Sequence, residues 1–566
     1  MADTCPSHPR LTRLYLWSLS HINGIFLVIS ALWVVLLYGS CICGSFIYDD
    51  ISHIQQNPAL VSWKGAFHYF RTSDAFAHDL LPGGGSSYRP LLWLSLALDR
   101  HLWGLQPCGF HITNLLLHWI SGSLYFILLR RMRAPTLLAA AVCLLWLGLP
   151  INSEAVAWIS GRTYPLMCIF LVSSLLAADS YLTKGSTPAL FLYTAGLLAA
   201  LLSNEEGILV LPLTILLAYF KEKTPQRRWL SLGVAGAVAT AGYFVLRRLA
   251  VAHMPSGPAS FLMLGTAFFK YVMWILFPVH MSVERSTDTP ANSLSLASIA
   301  ALTGMFCFLM LLYWFRKRNA LIVFGLTWMA ITLLPFCGIV SLYQGMAERY
   351  VYLASFGLVL AIIAAAWHTS TPKRFVMFAL IVLWGFWGAR RLEARASEWK
   401  DPVSLYQSSL ETTPGSTKLT YNLGTAFEAS GNFYKASEYY HKALELNPKY
   451  VPAMVGLGNL DQRTGNMAKA EQEYRQAASM DPSDGNVRCY LGALLFREGK
   501  IAPAIQELSQ AVAMNPSNST AYLDLGVIYQ KSGDPERAAQ MYAKVLALQP
   551  GDPEALTDLQ TLRSME

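Results

Sequence analysis

The run from Ile22 to Asp50, INGIFLVISALWVVLLYGSCICGSFIYDD, decides the class of this protein. It holds no charged side chain before Asp49, and a stretch of that length crosses a hydrocarbon core of about 30 Å as a helix. Its end is abrupt, because Gly44-Ser45-Phe46-Ile47-Tyr48 leads straight into the adjacent carboxylates Asp49 and Asp50. Such a pair either caps and solvates a helix end or is chemistry fixed at a membrane surface. The run is longer than a signal-peptide apolar core and no A-x-A site follows it, so it reads as a retained anchor.

The same apolar character extends over the chain. Its 566 residues are 54% hydrophobic and only 14% charged, which excludes an ordinary soluble enzyme and indicates a multi-spanning membrane protein. Residues 401–566 hold 14 Lys and Arg against 19 Asp and Glu, a net of −5, so residues 1–400 carry +13 of the overall +8. That basic excess falls in short loops between apolar runs, where it marks topology and lipid-surface contact and not nucleic-acid binding. Of nine cysteines, Cys41, Cys43, Cys143, Cys168, Cys307 and Cys337 lie in or beside apolar runs. Neither CxxC nor paired Cys/His spacing occurs, so spacing implies no disulfide framework and no zinc site.

Arg10 and Arg13 precede the first span and place residues 1–21 in the cytoplasm, with Asp49 on the opposite side. Residues 45–109 form a long outer loop, in which Ala59–Phe70 carries Val61, Trp63, Phe67 and Phe70 at the spacing of an interfacial helix and Pro82-Gly83-Gly84-Gly85 breaks any helix. Further apolar runs fall at 110–129, 135–150, 164–181, 187–203, 207–220, 229–250, 294–315, 319–340, 350–367 and 375–390. Basic clusters stand at Arg130-Arg131-Arg133, Lys221-Lys223-Arg227-Arg228, Arg316-Lys317-Arg318 and Lys373-Arg374. All become cytoplasmic if residues 263–281, with Lys270 and Pro278-Val279-His280, lie in the interface. The expectation is an all-α membrane module over 22–392 with eleven spans, N-terminus inside and C-terminus outside. Arg247-Arg248 and Arg390-Arg391-Arg395 then fall on the outer side, against the rule, as misplaced loops or anion-binding groups.

Residues 401–566 carry a period of 34. Leu-Gly recurs at 423, 457, 491 and 525, Ala at 436, 470, 504 and 538, and Pro at 414, 448, 482, 516 and 550. These are tetratricopeptide positions: Gly admits close helix approach, Ala sits at the crossing and Pro ends the second helix. Four hairpins are expected after a partial repeat around Tyr406, with 551–566 as a cap. Such a solenoid presents a concave surface suited to an extended peptide or a partner protein, or serves assembly alone.

With topology set by the basic clusters, Asp49, Asp50, Arg89, Glu154, Arg162, Glu205, Glu206, Arg285, Glu348 and Arg349 all map to the outer ends of spans. Ionisable groups at a membrane edge are costly unless paired or hydrated, so a shared polar cavity is the economical arrangement; Glu284–Arg285 and Glu348–Arg349 are the expected plain ion pairs. His111, Asn114 and His118 lie on one face of the second span, either as hydrogen-bonded packing or, the favoured reading, as a cavity wall. Carboxylates and arginines facing outward suit transfer to a hydroxyl, which needs a general base, from a lipid-linked phosphate, whose departing charge needs a cation.

Phe46-Ile47-Tyr48-Asp49-Asp50 with Asn57-Pro58, Tyr88-Arg89-Pro90-Leu91, His111-Ile112-Thr113-Asn114-Leu115-Leu116-Leu117-His118, Glu154-Ala155-Val156-Ala157 with Gly161-Arg162, and Ala347-Glu348-Arg349-Tyr350-Val351-Tyr352 occur in that order. In this the chain resembles the transmembrane and tetratricopeptide repeat-containing family, of the GT-C class of multi-spanning glycosyltransferases. The resemblance implies transfer of a sugar, mannose foremost, from a polyprenyl-phosphate carrier to protein Ser/Thr hydroxyls on the lumenal or periplasmic side. The membrane would be that of the endoplasmic reticulum in a eukaryote and the plasma membrane in a bacterium. It further implies Asp49 as general base of an inverting transfer, Asp50 as an assisting group or metal ligand, and Arg89, Arg162 and Arg349 as cations for the carrier phosphate. His111, Asn114, His118, Glu154, Glu205, Glu206 and Glu348 are then cavity-lining. Metal use varies in the class, so a divalent ion is left unassigned. Asn204 stands where a Lys is expected before Glu205-Glu206-Gly207, so the phosphate would need another cation here. The rival readings are a membrane-anchored repeat scaffold without activity and a transferase acting on a glycan or lipid.

Overall fold

The computed structural model describes residues 9–71, 87–221, 225–251, 261–285, 295–315, 319–339, 345–549 and 552–565. The expected helix break at Pro82-Gly83-Gly84-Gly85, Lys223, the Arg316-Lys317-Arg318 cluster and Pro550 lie outside them. Among the described residues there is no strand; the only pairing of that kind is an isolated antiparallel bridge between Arg285 and Met346. They form two compact units, 9–413 and 414–565.

The first unit contains α1 (Pro9–Tyr38), α2 (Trp63–His68), α3 (Pro90–Trp103), α4 (Pro107–Arg131), α5 (Thr136–Leu147), α6 (Ser153–Ala157), α7 (Thr163–Lys184), α8 (Thr187–Ser203), α9 (Val210–Tyr219), α10 (Gln226–Ala250), α11 (Leu264–Leu276), α12 (Leu296–Phe315), α13 (Ala320–Leu333), α14 (Tyr352–His368), α15 (Thr371–Glu398) and α16 (Pro402–Thr412). Among the described residues seven helices are long and apolar enough to cross a bilayer, and α5 with Pro150–Ala157, bent by 56°, makes an eighth. The chain is thus a multi-pass membrane protein. The difference from eleven spans has a local cause. At 17, 10 and 14 residues, α8, α9 and α13 fall short of a straight crossing. The break between α8 and α9 is fixed by Asn204, whose Oδ1 accepts from the Glu206 amide at 3.1 Å. The 13-residue α11 is likewise too short to span, and in the outer loop Val61, Trp63 and Phe67 are exposed while Leu60 and Ala66 are buried.

Helix contact inside this unit uses small residues. A Cβ on Gly325 would lie 2.5 Å from the Gly357 carbonyl oxygen, so α13 and α14 meet backbone to backbone, the close approach that lets helices associate where water supplies no driving force. The helices sort their charges to two ends. At one, Lys221 of the α9–α10 connection reaches Asp179 of α7 at 2.5 Å, Arg131 of α4 stands 3.8 Å from the same carboxylate, and Arg228 of α10 donates to the Leu182 carbonyl at 2.6 Å. At the other are Asp49, Glu154, Glu205 and Arg349. Arg395, one of the arginines that broke the positive-inside pattern, belongs to this second end, where it pairs with Glu398 at 2.6 Å and donates to Ser408 of α16.

The second unit is four helical hairpins, α17 (Thr417–Ala429) with α18 (Phe433–Leu446), α19 (Val451–Arg463) with α20 (Met467–Met480), α21 (Gly485–Arg497) with α22 (Ile501–Met514), and α23 (Ser519–Lys531) with α24 (Pro535–Leu548). They are followed by α25 (Pro553–Met565), whose Leu562 packs on Ala538 and Tyr542. Ala436, Ala470, Ala504 and Ala538 are buried at the crossings. A Cβ at Gly458 would come 2.5 Å from the Tyr474 ring. Gly458→Ala is therefore expected to destabilise the array by about 1–3 kcal/mol through overpacking, in spite of alanine's better helix propensity. Chemical denaturation followed by circular dichroism measures it, and a gain in stability would contradict the packing described.

Candidate functional site

The loop after α1 is built to hold Asp49 out and Asp50 in. Tyr48 adopts a left-handed backbone (φ 62), a costly conformation for a bulky residue that persists only where its surroundings impose it. Here Tyr48 stands edge-on to Trp158 at 6.1 Å and against Tyr406 of α16 at 6.3 Å. The chain before it is tied down by the Ser45 amide, which donates to the Lys400 carbonyl at 3.0 Å. Asp50 is buried. It accepts from the Ile47 amide (3.2 Å), the Ser160 amide (2.9 Å) and the Ser160 hydroxyl (2.6 Å), so it locks its own loop to the turn before α7. The side chain of Asp49 is half-exposed and, among the described residues, accepts no hydrogen bond or ion pair, while the Tyr406 ring stands within electrostatic reach of it.

Two ion pairs flank this loop. The first joins Arg349 to Glu154, whose other oxygen accepts from the Arg349 amide at 2.9 Å; the guanidinium lies over Trp158 at 5.7 Å and Tyr350 at 5.1 Å. The second joins Arg89 to Glu205 at 2.9 Å, with the Tyr88 amide donating to the same carboxylate. Glu206 connects them, since its carboxylate feels Arg89, Glu205 and Arg349 and hydrogen-bonds with Tyr164. Arg89, Glu154, Glu205, Glu206 and Arg349 thus converge on one neighbourhood, lined also by Tyr164 and Tyr350, which sequence alone did not single out. Arg247, an exception to the positive-inside pattern, stands here too, within reach of Glu205 and Tyr243.

Other expectations are corrected. Arg162 is wholly buried and pairs with Asp99 at 2.7 Å, while it also donates to the carbonyls of Phe110, Ser95 and Ile159. No nitrogen remains for a carrier phosphate, and its partner Asp99, which takes a further bond from Thr113, lies in none of the motifs. The stripe of His111, Asn114 and His118 is packing and not a cavity wall. Asn114 donates to the carbonyls of Val156, Trp158 and Ile159, around the break after α6. His118 Nε2 donates to the Leu147 carbonyl (3.3 Å), so its Nδ1 accepts from the Tyr352 hydroxyl (2.8 Å), and His111 is buried against Gly44. Glu348 is buried as well and pairs with Arg285 at 2.6 Å instead of its neighbour Arg349, holding the Ser282 amide besides. Among the described residues no three His, Cys, Asp or Glu side chains gather as a metal site.

Burial pushes the Glu206 carboxyl up to about 8, and that of Asp50 up to about 7 against the pull of its three hydrogen bonds. An unfolded carboxyl titrates near about 4, so between that value and these the folded state holds protons the unfolded state has lost. Stability is complete at the acid end and is lost as pH rises toward 8. The thermal midpoint is expected to be lower at pH 8 than at pH 5.5, with Glu206→Gln flattening the profile. A midpoint that rises with pH over that range would contradict this environment.

Family models described as tetratricopeptide repeat match residues 418–450, 451–484 and 495–561. A protein O-mannosyl-transferase of Caenorhabditis elegans is 23% identical over 418 residues, covering 70% of this chain and 59% of its own. Protein O-mannosyl-transferase TMTC4 of Homo sapiens is 24% identical over 501 residues (73% and 66%), and TMTC2 of Mus musculus 25% over 523 (73% and 61%). The chain spans less than two thirds of the length of these relatives. Among solved structures, MamA is similar at 24% identity over 25% of this chain and 84% of its own, with a TM-score of 0.24. The chain is thus similar, over 70–73% of its length, to proteins named protein O-mannosyl-transferase, and residues 418–561 carry the tetratricopeptide repeats.

Proposed function

We propose that the chain transfers mannose from a polyprenyl-phosphate carrier to Ser or Thr hydroxyls of proteins, on the non-cytoplasmic side of its membrane. The observation that carries this is the contrast among carboxylates at one end of the membrane unit. Asp50, Asp99, Glu154, Glu205 and Glu348 are each engaged by donors, and Asp49 beside them is half-exposed and unengaged. A hydroxyl is a poor nucleophile, and a carboxylate within hydrogen-bond reach makes it competent. Asp49 takes the acceptor proton as the hydroxyl oxygen bonds to the anomeric carbon. The carbon–oxygen bond to the carrier breaks with its electrons going to the phosphate, and configuration inverts. Arg89 and Arg349 are the cations for that phosphate; both are partly exposed, at 29% and 11% of their side chains, whereas Arg162 is sealed. Asp50 positions the loop. The repeats present the acceptor, as stacked hairpins suit extended segments.

The test is transfer of labelled mannose from polyprenyl-phosphate mannose to acceptor peptides by the purified protein. Product on Ser or Thr that requires both Asp49 and Arg89 supports the reading. No transfer from any polyprenyl-phosphate sugar, with the repeats still capturing the acceptor, would replace it with the scaffold reading.

A further inference from the structure

We propose that Tyr406 is a positioning residue for Asp49, and that the Asp49 loop takes the place of the first helix that the leading, partial repeat lacks. The reason lies in the period of 34. Tyr440, Tyr474, Leu508 and Tyr542 occupy equivalent positions in the second helices α18, α20, α22 and α24, and all four are wholly buried. Each lies against the glycine of its own first helix: a Cβ on Gly424, Gly458, Gly492 or Gly526 would come within 2.5 to 2.7 Å of that side chain. One period earlier the same position is Tyr406 of α16. The matching glycine position is Arg390 of α15, whose side chain is 66% exposed and paired with Glu393, so α15 offers Tyr406 no such seat. Tyr406 is buried all the same, and Tyr48, the residue before Asp49, lies against its ring with centroids 6.3 Å apart.

The rest of α16 is tied to both arms of the site. Just ahead of it, the Lys400 carbonyl accepts from the Ser45 amide at 3.0 Å. Ser409 stands where the whole repeats carry Ala443, Ala477 and Ala511, and its hydroxyl accepts from the Val283 amide at 3.4 Å. Thr412 donates to the Met281 carbonyl at 3.3 Å, and the hydroxyls of Thr413 and Ser282 meet at 3.1 Å. The Ser282 amide in turn donates to Glu348, the neighbour of Arg349, at 2.7 Å. Polar side chains thus appear on α16 where it meets loop backbone instead of another helix, since a buried amide or carbonyl needs a partner. One short helix therefore braces the backbone before Asp49 and, through Glu348, the backbone beside Arg349. The positioning role rests on the transferase reading of Asp49; the seating of the loop on α16 does not.

Hydrogen–deuterium exchange of the full chain in detergent tests the seat. Peptides covering residues 45–56 are expected to exchange slowly in the wild type and roughly 10-fold faster in Tyr406→Ala. Tyr440→Ala, which empties the equivalent seat of the first whole repeat, should speed exchange in α17 and leave 45–56 as in the wild type. Fast exchange of the Ser45 amide in the wild type, or equal exchange of 45–56 in wild type and Tyr406→Ala, would overturn the proposal. In the mannosyl-transfer assay Tyr406→Ala is expected to lower kcat by roughly 10- to 100-fold with the donor KM unchanged, and Tyr406→Phe, which keeps the ring, to restore it. A wild-type kcat for folded Tyr406→Ala, or a Phe variant as slow as the Ala variant, defeats the positioning role. No transfer by the wild type, with 45–56 still dependent on Tyr406, removes the transferase reading and supports the seat on α16.

Discussion

Asp49→Asn is expected to lower kcat for the proposed mannosyl transfer by roughly 100- to 10,000-fold and to leave the KM for the proposed carrier nearly unchanged. The substitution keeps the shape and polarity of the side chain but replaces the carboxylate proposed as base with an amide that takes up no proton near neutral pH. Asp49 accepts no hydrogen bond in the structure, so nothing is broken in the fold, and the circular dichroism spectrum and thermal midpoint should match wild type. Arg89 and Arg349, the cations proposed for the carrier phosphate, pair with Glu205 and Glu154 and not with Asp49, so the proposal expects donor binding to be untouched. Asp50→Asn makes the contrasting control, because it disturbs the bonds from Ile47 and Ser160 and should cost stability together with activity. Single-turnover transfer separates the two. A folded Asp49→Asn protein with wild-type kcat would remove Asp49 as the base.

The second large effect concerns stability. Arg162→Met leaves Asp99 as a buried carboxylate without its counter-charge, a loss of about 3–5 kcal/mol. Removing both charges together, in Arg162→Met with Asp99→Leu, should recover much of that loss, since an apolar pair needs no compensation for leaving water. Denaturant titration in detergent micelles measures the cycle. If Arg162 served the carrier phosphate, the single variant would instead raise the donor KM with stability unchanged. This result would reverse the assignment made from its burial.

How much was legible in the sequence depended on whether the controlling contact was periodic or distant. The repeats announced themselves because Gly424, Gly458, Gly492 and Gly526 must each make room for a facing ring or leucine, and a constraint repeated every 34 residues is visible in one sequence. The two-ended charge distribution was legible for the same kind of reason, since lysines and arginines in short loops obey one rule. Partner choice was not. Arg349 pairs with Glu154 and Glu348 with Arg285, both across long separations, where adjacency had suggested Glu348 with Arg349. The His111–Asn114–His118 stripe lies on one helix face, but the carbonyls that His118 and Asn114 meet belong to other segments, around Leu147 and Trp158. The signal that could have found Asp99 was the need of any buried arginine for a carboxylate near the same end.

The bond from Ser45 to Lys400, with Tyr406 seated on Tyr48, also sets an order of events during synthesis. The loop that carries Asp49 emerges early, yet the backbone group that anchors it follows 355 residues later. At about 5–20 residues per second, that interval is roughly 20 to 70 s. Throughout it the loop lacks its clamp while the intervening helices insert. The chain therefore completes its acidic loop only at the end of threading, and a ribosome stalled before residue 400 leaves Asp49 not yet held.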